Sequence, residues 1–203
     1  MFIDDWIQEA EEVGEFAVDT ETSSLDPHQT DLIGISLSSK IGKAYYIPIG
    51  HKSDKCIDKN LVLKKLKPLL EDPSVKKIGQ NIKFDFIVLF NQGIELNSME
   101  DTMLMSYALD AGKNRHNMDI LSEIHLDHKT IAFKDLVGTG KKQINFSEVD
   151  VEKAKDYAAE DADITLRLYQ KFKKSLKLEK MYNIYEVFEK PMIKILAFME
   201  IEG

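Results

Sequence analysis

The architecture of this chain is set by residues 15–49, which read EFAVDTETSSLDPHQTDLIGISLSSKIGKAYYIPI. Within this stretch, residues 15–20, 32–38 and 44–49 are rich in apolar, β-branched and aromatic side chains, as strands are. Ser, Asp, Pro and Gly fill the segments between them, and these residues are typical of turns. Three successive strands with such short connections predict an antiparallel meander.

Beyond residue 49 the apolar residues recur mostly at helical spacing. Leucines predict a helix over residues 61–70 that ends before Pro73. The further predicted elements are a strand over 75–79, a helix with Asn81 as its N-cap, a strand near 93–96, helices at 101–110, 118–126 and 151–174, and a helical end over 179–203, with 127–149 irregular. Strands first and helices afterwards predict an α/β domain with a mixed sheet.

The composition restricts the classes of function that fit. The chain has 203 residues, 43% of them hydrophobic, and a net charge of −8, which fits one sizeable domain. A nucleic-acid coat protein would be basic, so the negative charge argues against that class. It is compatible with an enzyme that binds a few nucleotides in a cleft. The apolar runs are too short to cross a membrane, and no membrane contact is expected. Cys56 is the sole cysteine, which precludes an internal disulfide and suits a reducing cytosol.

Two acidic residues, Asp19 and Glu21, stand at the end of the first apolar strand. Side chains two residues apart on a strand project to one face, so the two carboxylates are expected side by side. Like charges that close repel, and one would take up a proton unless a cation bridged them. Mg²⁺ meets this need because it binds carboxylate oxygens and keeps waters for a substrate. Taken alone, the pair is a weak signal, because it also suits a polar strand end that enters a turn.

Three more candidate residues fall on predicted helices. Asp85 lies four residues after Asn81, just past the first turn of its helix, where the helix dipole mildly favours an anion. Tyr157 and Asp161 are four residues apart and share one helix face. A tyrosine hydroxyl beside a metal-bound carboxylate can hold a water in line with a phosphorus atom. Taken singly, these residues also fit ordinary polar helix positions and a half-buried tyrosine.

The order of these residues is more specific than any one of them. The motifs Asp19-Thr20-Glu21, Asn81-x-x-x-Asp85 and Tyr157-x-x-x-Asp161 follow the order of the three exonuclease motifs of the DEDD 3′–5′ exonucleases, tyrosine subclass. Within that superfamily, the chain resembles the proofreading domains of the bacterial DNA polymerase I family. The likeness extends over nearly all of residues 6–203 and includes the segments 79–83, 101–104, 128–130 and 157–163. All five motif residues are present, so the chain does not resemble the members of the family that have lost the activity.

The resemblance implies an RNase H-like fold around a five-stranded mixed sheet, with three antiparallel strands followed by parallel ones, flanked by helices. It implies an exonuclease domain over residues 1–177 and the start of a polymerase domain over residues 178–203. The implied partners are the 3′ end of single-stranded DNA and the polymerase domain of a longer chain, with the fragment itself monomeric. The implied location is the bacterial cytosol, at the nucleoid.

The resemblance also implies a two-metal-ion mechanism. The catalytic residues would be Asp19, Glu21, Asp85, Tyr157 and Asp161, and the four acids among them would hold two Mg²⁺ ions, which Mn²⁺ would replace. Two such ions, about 3.5–4 Å apart, stabilise both the attacking and the leaving oxygen. The expected product is a nucleoside 5′-monophosphate released from a 3′ end.

Four further residues are implied as DNA contacts. Leu25 and Phe133 would touch the terminal nucleotides, and Gln80 and Asn81 are near enough to contribute. Apolar contacts to bases with few backbone contacts are usual for single-strand sites. Leu25 could instead be a turn residue tucked into the core, and Phe133 a loop anchor.

Two alternative functions remain open at this level. An RNA-trimming exonuclease of the same superfamily would share the metal-binding residues, but the polymerase-like tail after Glu179 argues against it. A non-catalytic module that binds single strands or supports a polymerase fold suits the acidic charge. It leaves the five motif residues without an explanation.

Overall fold

The computed structural model describes residues 2–53 and 55–203 and contains one five-stranded sheet with helices on both of its faces. The elements in chain order are α1 (Phe2–Val13), β1 (Glu15–Thr22), β2 (Leu32–Lys40), β3 (Lys43–Pro48), α2 (Lys59–Glu71), β4 (Lys76–Gly79), α3 (Ile82–Phe90), β5 (Met99–Asp101), α4 (Thr102–Asp110), α5 (Met118–Leu126), α6 (Phe133–Val137), α7 (Val151–Leu178), α8 (Tyr182–Ile184) and α9 (Lys190–Glu202). Short 3-10 turns precede α7, and a π-helical turn, Tyr185–Glu189, joins α8 to α9.

The sheet has the strand order β3-β2-β1-β4-β5. β1 pairs antiparallel with β2, which pairs antiparallel with β3, while β4 runs parallel to both β1 and β5. The predicted meander and the predicted mixed sheet are therefore confirmed. The carboxyl ends of β1, β4 and β5 meet at one edge, which is where open α/β sheets bind ligands.

Alternation along β1 distributes its side chains between two hydrophobic clusters. Phe16 and Val18 pack with α1, α2, α3 and α9 on one face of the sheet. Ala17 packs with α4, α5 and α7 on the other face. Continued alternation sends Asp19 and Glu21 toward α7 and Thr20 toward α3. The end of β1 thus presents polar side chains to both helical layers.

Three local predictions are wrong in part. The fifth strand lies at Met99–Asp101 and not near 93–96. Ile94 and Leu96 are buried in the core, which explains the apolar pattern there without a place in the sheet. The predicted irregular segment contains the short helix α6, and α7 continues to Leu178, four residues beyond its predicted end. Sequence propensity predicts the presence of a helix better than it predicts where the helix ends, because tertiary packing can add a turn.

Candidate active site

Three carboxylates meet at the carboxyl end of β1. Asp19 and Glu21 leave the strand on the face that α7 covers, and α7 brings Asp161 to them. One oxygen of each residue lies within 4.8 Å of the others. Glu21 and Asp161 are buried and Asp19 is half-buried, so their charges repel where little water screens them. The side-by-side placement predicted for Asp19 and Glu21 is confirmed.

Asp85 reaches the same site from the opposite layer. Its buried carboxylate accepts hydrogen bonds from the backbone N–H of Thr20 at 2.9 Å and from the Thr20 hydroxyl at 2.6 Å. Thr20 faces α3, which carries Asp85, because it alternates with its two acidic neighbours on β1. Thr20 was not singled out in the sequence. The only signal for it was its position between Asp19 and Glu21.

Burial raises the pKa of all four carboxyl groups. The pKa of Asp19 rises to about 6, and those of Glu21, Asp85 and Asp161 rise well above their usual range, mainly through burial and then through the charges of the other acids. One oxygen of Glu21, Oε1, is buried and has no hydrogen-bond partner among the described residues. An unpartnered buried oxygen within a carboxylate cluster fits a divalent cation, which would neutralise the charge and take the free ligand position.

Tyr157 lies one helical turn before Asp161 on α7 and faces the carboxylates. Burial raises the pKa of its hydroxyl, and the charges of Asp161, Glu21 and Asp19 raise it further. The hydroxyl therefore stays protonated at neutral pH. It can donate a hydrogen bond to a group held beside the acids, as the shared helix face predicted.

An aromatic wall, formed by Phe133, Phe146 and Tyr157, stands on one side of the site. The rings of Phe133 and Phe146 are nearly parallel, with an interplanar angle of 6° and centroids 6.1 Å apart. Tyr157 is tilted against both, at 5.9 Å from Phe133 and 6.3 Å from Phe146. Phe146 was missed in the sequence because it lies in a segment without periodicity. It packs against Phe133, which the resemblance implied as a DNA contact, and against Tyr157 of the third motif.

A cleft of about 950 Å³ opens over the carboxylates. Leu25 and Phe133 both line it, and their side chains are 93% and 44% exposed. Leu25 is therefore not tucked into the core, and Phe133 presents much of its ring to the cleft. Both positions suit contact with a ligand in the cleft.

Gln80 and Asn81 form part of the cleft lining near the end of β4. The predicted N-cap role of Asn81 is wrong, because its side chain makes no capping bond and its backbone is left-handed, with φ 60°. The carboxylate of Asp101 accepts instead from the N–H groups of Asn81 and Ile82, both at 3.0 Å. Asp101, at the end of the neighbouring strand, thus holds the turn that precedes α3. Gln80 is fixed through its amide group, which donates to the carbonyl of His116.

Two acids next to Asp161 in the sequence have other partners. Asp163 accepts from the backbone N–H of Gly42 and from Arg167 Nε, at 2.6 and 2.7 Å. Glu160 accepts from the backbone N–H of Ile131 at 2.6 Å. Residues one or two positions apart on a helix face different directions, so Asp161 joins the cluster and its neighbours Glu160 and Asp163 do not.

The relatives of the chain agree on one family. A family model described as 3′–5′ exonuclease matches residues 2–177. DNA polymerase I of Rhizobium leguminosarum is 43% identical over 222 residues, covering 99% of this chain and 22% of the relative. DNA polymerase I of Pseudomonas aeruginosa is 42% identical over 207 residues, covering 98% and 23%. The chain thus spans about a fifth of the length of these relatives.

Solved structures share the fold. Brucella melitensis NrnC matches with a TM-score of 0.75 and 24% identity, covering 96% of this chain and 88% of that one. A structure of that protein with bound Mg²⁺ matches with a TM-score of 0.73. A complex of Pol1 from M. smegmatis with DNA primer-template and dNTP matches with a TM-score of 0.75 and 18% identity, covering 97% and 30%. The expected RNase H-like fold is confirmed, and with the match over residues 2–177 the chain belongs to the 3′–5′ exonuclease family.

Proposed function

We propose that this chain is the proofreading exonuclease part of a longer DNA polymerase I. It would remove nucleoside 5′-monophosphates from the 3′ end of single-stranded or frayed DNA. The observation that carries the proposal is the cluster of Asp19, Glu21 and Asp161, which faces the Tyr157 hydroxyl in the cleft. Asp85 lies beside this cluster, close enough for the charge of Asp19 to raise its pKa. The similarity to DNA polymerase I over nearly the whole chain supports DNA as the substrate.

The proposed roles are those that the family resemblance implies, and the grouping of Asp19, Glu21 and Asp161 supports them. Asp19, Glu21 and Asp161 would hold one Mg²⁺ ion and Asp85, with Asp19, a second, and Mn²⁺ would substitute. Bound there, such cations make water more acidic and stabilise the departing 3′ oxygen.

The protonated Tyr157 hydroxyl and the Glu21 carboxylate would orient the attacking water. The water oxygen bonds to phosphorus, the bond from phosphorus to the 3′ oxygen breaks, and that oxygen ends with a proton from the water. Thr20 keeps Asp85 in place during this exchange, since two of its groups bind the carboxylate.

The lining of the cleft favours unpaired nucleotides. No lysine or arginine occurs among the described residues that line it, so phosphate contacts to cationic side chains would contribute little there. Stacking of bases on aromatic rings contributes about 1–3 kcal/mol per base, and Phe133 offers an exposed ring for it. Leu25, with Gln80 and Asn81, would contact the other side of the terminal nucleotides. Bases inside a duplex are stacked on both faces and paired at their edges, so the end must fray before its terminal nucleotides can enter the cleft.

The C-terminal segment supports the proposed link to a polymerase. We place the exonuclease domain at residues 1–177 and the start of the polymerase domain at 178–203. Val187, Phe188 and Met199 are large apolar side chains of that segment that stay exposed. The polymerase part of the longer chain would cover them, because the relatives continue far beyond the region that this chain matches.

The location and the assembly state are also proposals. Among the described residues, no helix combines the length and the apolar composition that a bilayer crossing requires. We place the protein in the bacterial cytosol at the nucleoid, where its substrate would be, and expect the isolated chain to be a monomer.

Digestion of a 5′-labelled single-stranded DNA, with Mg²⁺ and with a chelator, tests the proposal. We expect a ladder that descends by single nucleotides with Mg²⁺ and no cutting with the chelator. Asp161→Asn should abolish cutting. Asp163→Asn, on the same helix but bound to Gly42 and Arg167, is the matched control and should leave cutting intact.

An RNA of the same sequence separates the alternatives. Equal or faster cutting of RNA would overturn the DNA assignment in favour of an RNA-trimming enzyme. No cutting of either strand by folded protein would identify the chain as a binding or structural module. Full cutting by Asp161→Asn would contradict its assignment as a metal ligand, and loss of cutting in both aspartate variants would show that the effect is not specific to Asp161.

A further inference from the structure

Tyr185 lies outside the region that the family model matches, residues 2–177, and yet it is completely buried. Its ring belongs to the hydrophobic cluster between the sheet and α7. It also begins the π-helical turn between α8 and α9. Such turns are rare and occur frequently at functional positions. The segment after α7 is thus packed into the nuclease part of the molecule.

The Tyr185 hydroxyl joins two neighbouring residues of β5. It accepts a hydrogen bond from the backbone N–H of Asp101 at 3.0 Å and donates one to Glu100 Oε2 at 2.8 Å. The other oxygen of the buried Glu100 accepts from Lys190 Nζ at 2.8 Å. A buried carboxylate with two such donors is well satisfied. The network therefore holds β5 and the start of α9 together.

Asp101 carries this connection to the cleft. Its carboxylate holds the N–H groups of Asn81 and Ile82. Gln80 and Asn81 line the cleft, and Ile82 begins α3, the helix that carries Asp85. One residue, Asp101, thus separates the Tyr185 hydroxyl from the turn that forms one wall of the site.

The C-terminal segment also contacts α3 directly. The ring of Phe198 on α9 packs edge-on against Phe86, with centroids 5.6 Å apart, and against Phe90 at 5.9 Å. Lys83 on α3 forms an ion pair with Glu200 on α9. A displacement of α9 would therefore act on α3 directly as well as through β5.

We propose that Tyr185 is a positioning residue of the exonuclease site. Through the backbone of Asp101 it fixes the turn over residues 79–82, so that Gln80 and Asn81 meet the terminal nucleotides in one arrangement. The inference rests on the proposed function for its kinetic part. On this proposal, the segment that leads into the polymerase part also helps to hold the turn over residues 79–82, which forms one wall of the cleft.

The test compares Tyr185→Phe with Tyr182→Phe in the same chain. The first variant keeps the buried ring and removes the hydroxyl that binds Asp101. The second removes an exposed hydroxyl that faces Glu186. For Tyr185→Phe we expect faster amide hydrogen exchange over residues 79–82 and a KM for single-stranded DNA raised about fivefold, the equivalent of one hydrogen bond. We expect kcat to stay within about twofold, because lost binding raises KM alone. Tyr182→Phe should leave the amide exchange, KM and kcat unchanged.

A purely structural role gives a different pattern. Partial unfolding lowers the active fraction, and thus kcat, and leaves KM unchanged, so that result would overturn the proposal. Glu100→Gln weakens the acceptor of the Tyr185 hydroxyl while every aromatic ring stays in place. The proposal requires this variant to change amide exchange over residues 79–82 and KM in the same direction as Tyr185→Phe does. Unchanged exchange over residues 79–82 in both variants would overturn the proposal, even if the wild-type chain cut no DNA. Wild-type inactivity with faster exchange in the variants would refute only the proposed function.

Discussion

Asp19→Asn should make the metal-free protein more stable while it abolishes exonuclease activity. Asparagine keeps the shape of the side chain and removes the charge that repels Glu21, Asp85 and Asp161. Burial raises the pKa of Asp19 from its usual 3.8 to about 6, so the ionised form opposes folding at neutral pH. The same carboxylate is proposed to hold a divalent cation, so the variant should not cut DNA.

The expected size of the effect follows from the two pKa values. A carboxyl group whose pKa is raised binds its proton more tightly in the folded chain. Its contribution to the free energy of unfolding is present below about pH 4 and is lost as the pH rises through about 6. The shift of Asp19 corresponds to about 3 kcal/mol at most, and its partial exposure reduces this. We expect metal-free Asp19→Asn to exceed wild type by about 1–3 kcal/mol at about pH 8 and to match it below about pH 4.

Urea unfolding with a chelator, at both pH values, measures the difference. Addition of Mg²⁺ at about pH 8 should stabilise the wild-type protein, since a ligand bound only to the folded state shifts the equilibrium, and should stabilise the variant much less. Asp31→Asn changes an exposed acid in the loop after β1 and should behave as wild type. Equal stability of Asp19→Asn and wild type at about pH 8, or equal stabilisation of both by Mg²⁺, would refute the reasoning.

Two other substitutions test separate parts of the site, and a third tests the packing of the sheet. Tyr157→Phe keeps the aromatic wall and removes the hydroxyl, so kcat on single-stranded DNA should fall on the order of 10²-fold, with the Mg²⁺-induced rise in Tm retained; an unchanged kcat would exclude the hydroxyl from catalysis. Thr20→Val removes the 2.6 Å hydrogen bond to Asp85, so the Mg²⁺ concentration for half-maximal activity should rise about 10-fold, and an unchanged metal titration would argue against this role. Gly34→Ala places a Cβ atom 2.1 Å from the Tyr46 hydroxyl oxygen, so the free energy of unfolding from urea titration should fall by about 2 kcal/mol. Adding Tyr46→Ala should relieve the clash, and a wild-type value for Gly34→Ala alone would contradict the packing.

Local periodicity explains which parts of the fold could be predicted. The meander follows from three strand patterns with short turns, and the carboxylate pair of β1 from alternation along one strand. The shared face of Tyr157 and Asp161 follows from helical spacing. The strand predicted near 93–96 failed because Ile94 and Leu96 are buried without pairing in the sheet. A run of apolar residues indicates burial, and burial alone does not distinguish a strand from a packed loop.

The sequence by itself determined the face on which each acid lies and the family to which their order points. Only the tertiary structure decided which side chains meet across the fold. Thr20 holds Asp85 from 65 positions away, and Tyr185 holds the backbone of Asp101 from 84 positions away. Asp101, and not Asn81, fixes the turn before α3. The physical reason is that period and propensity act over a few residues, whereas these partners are brought together by the closure of the sheet and the packing of helices on its two faces.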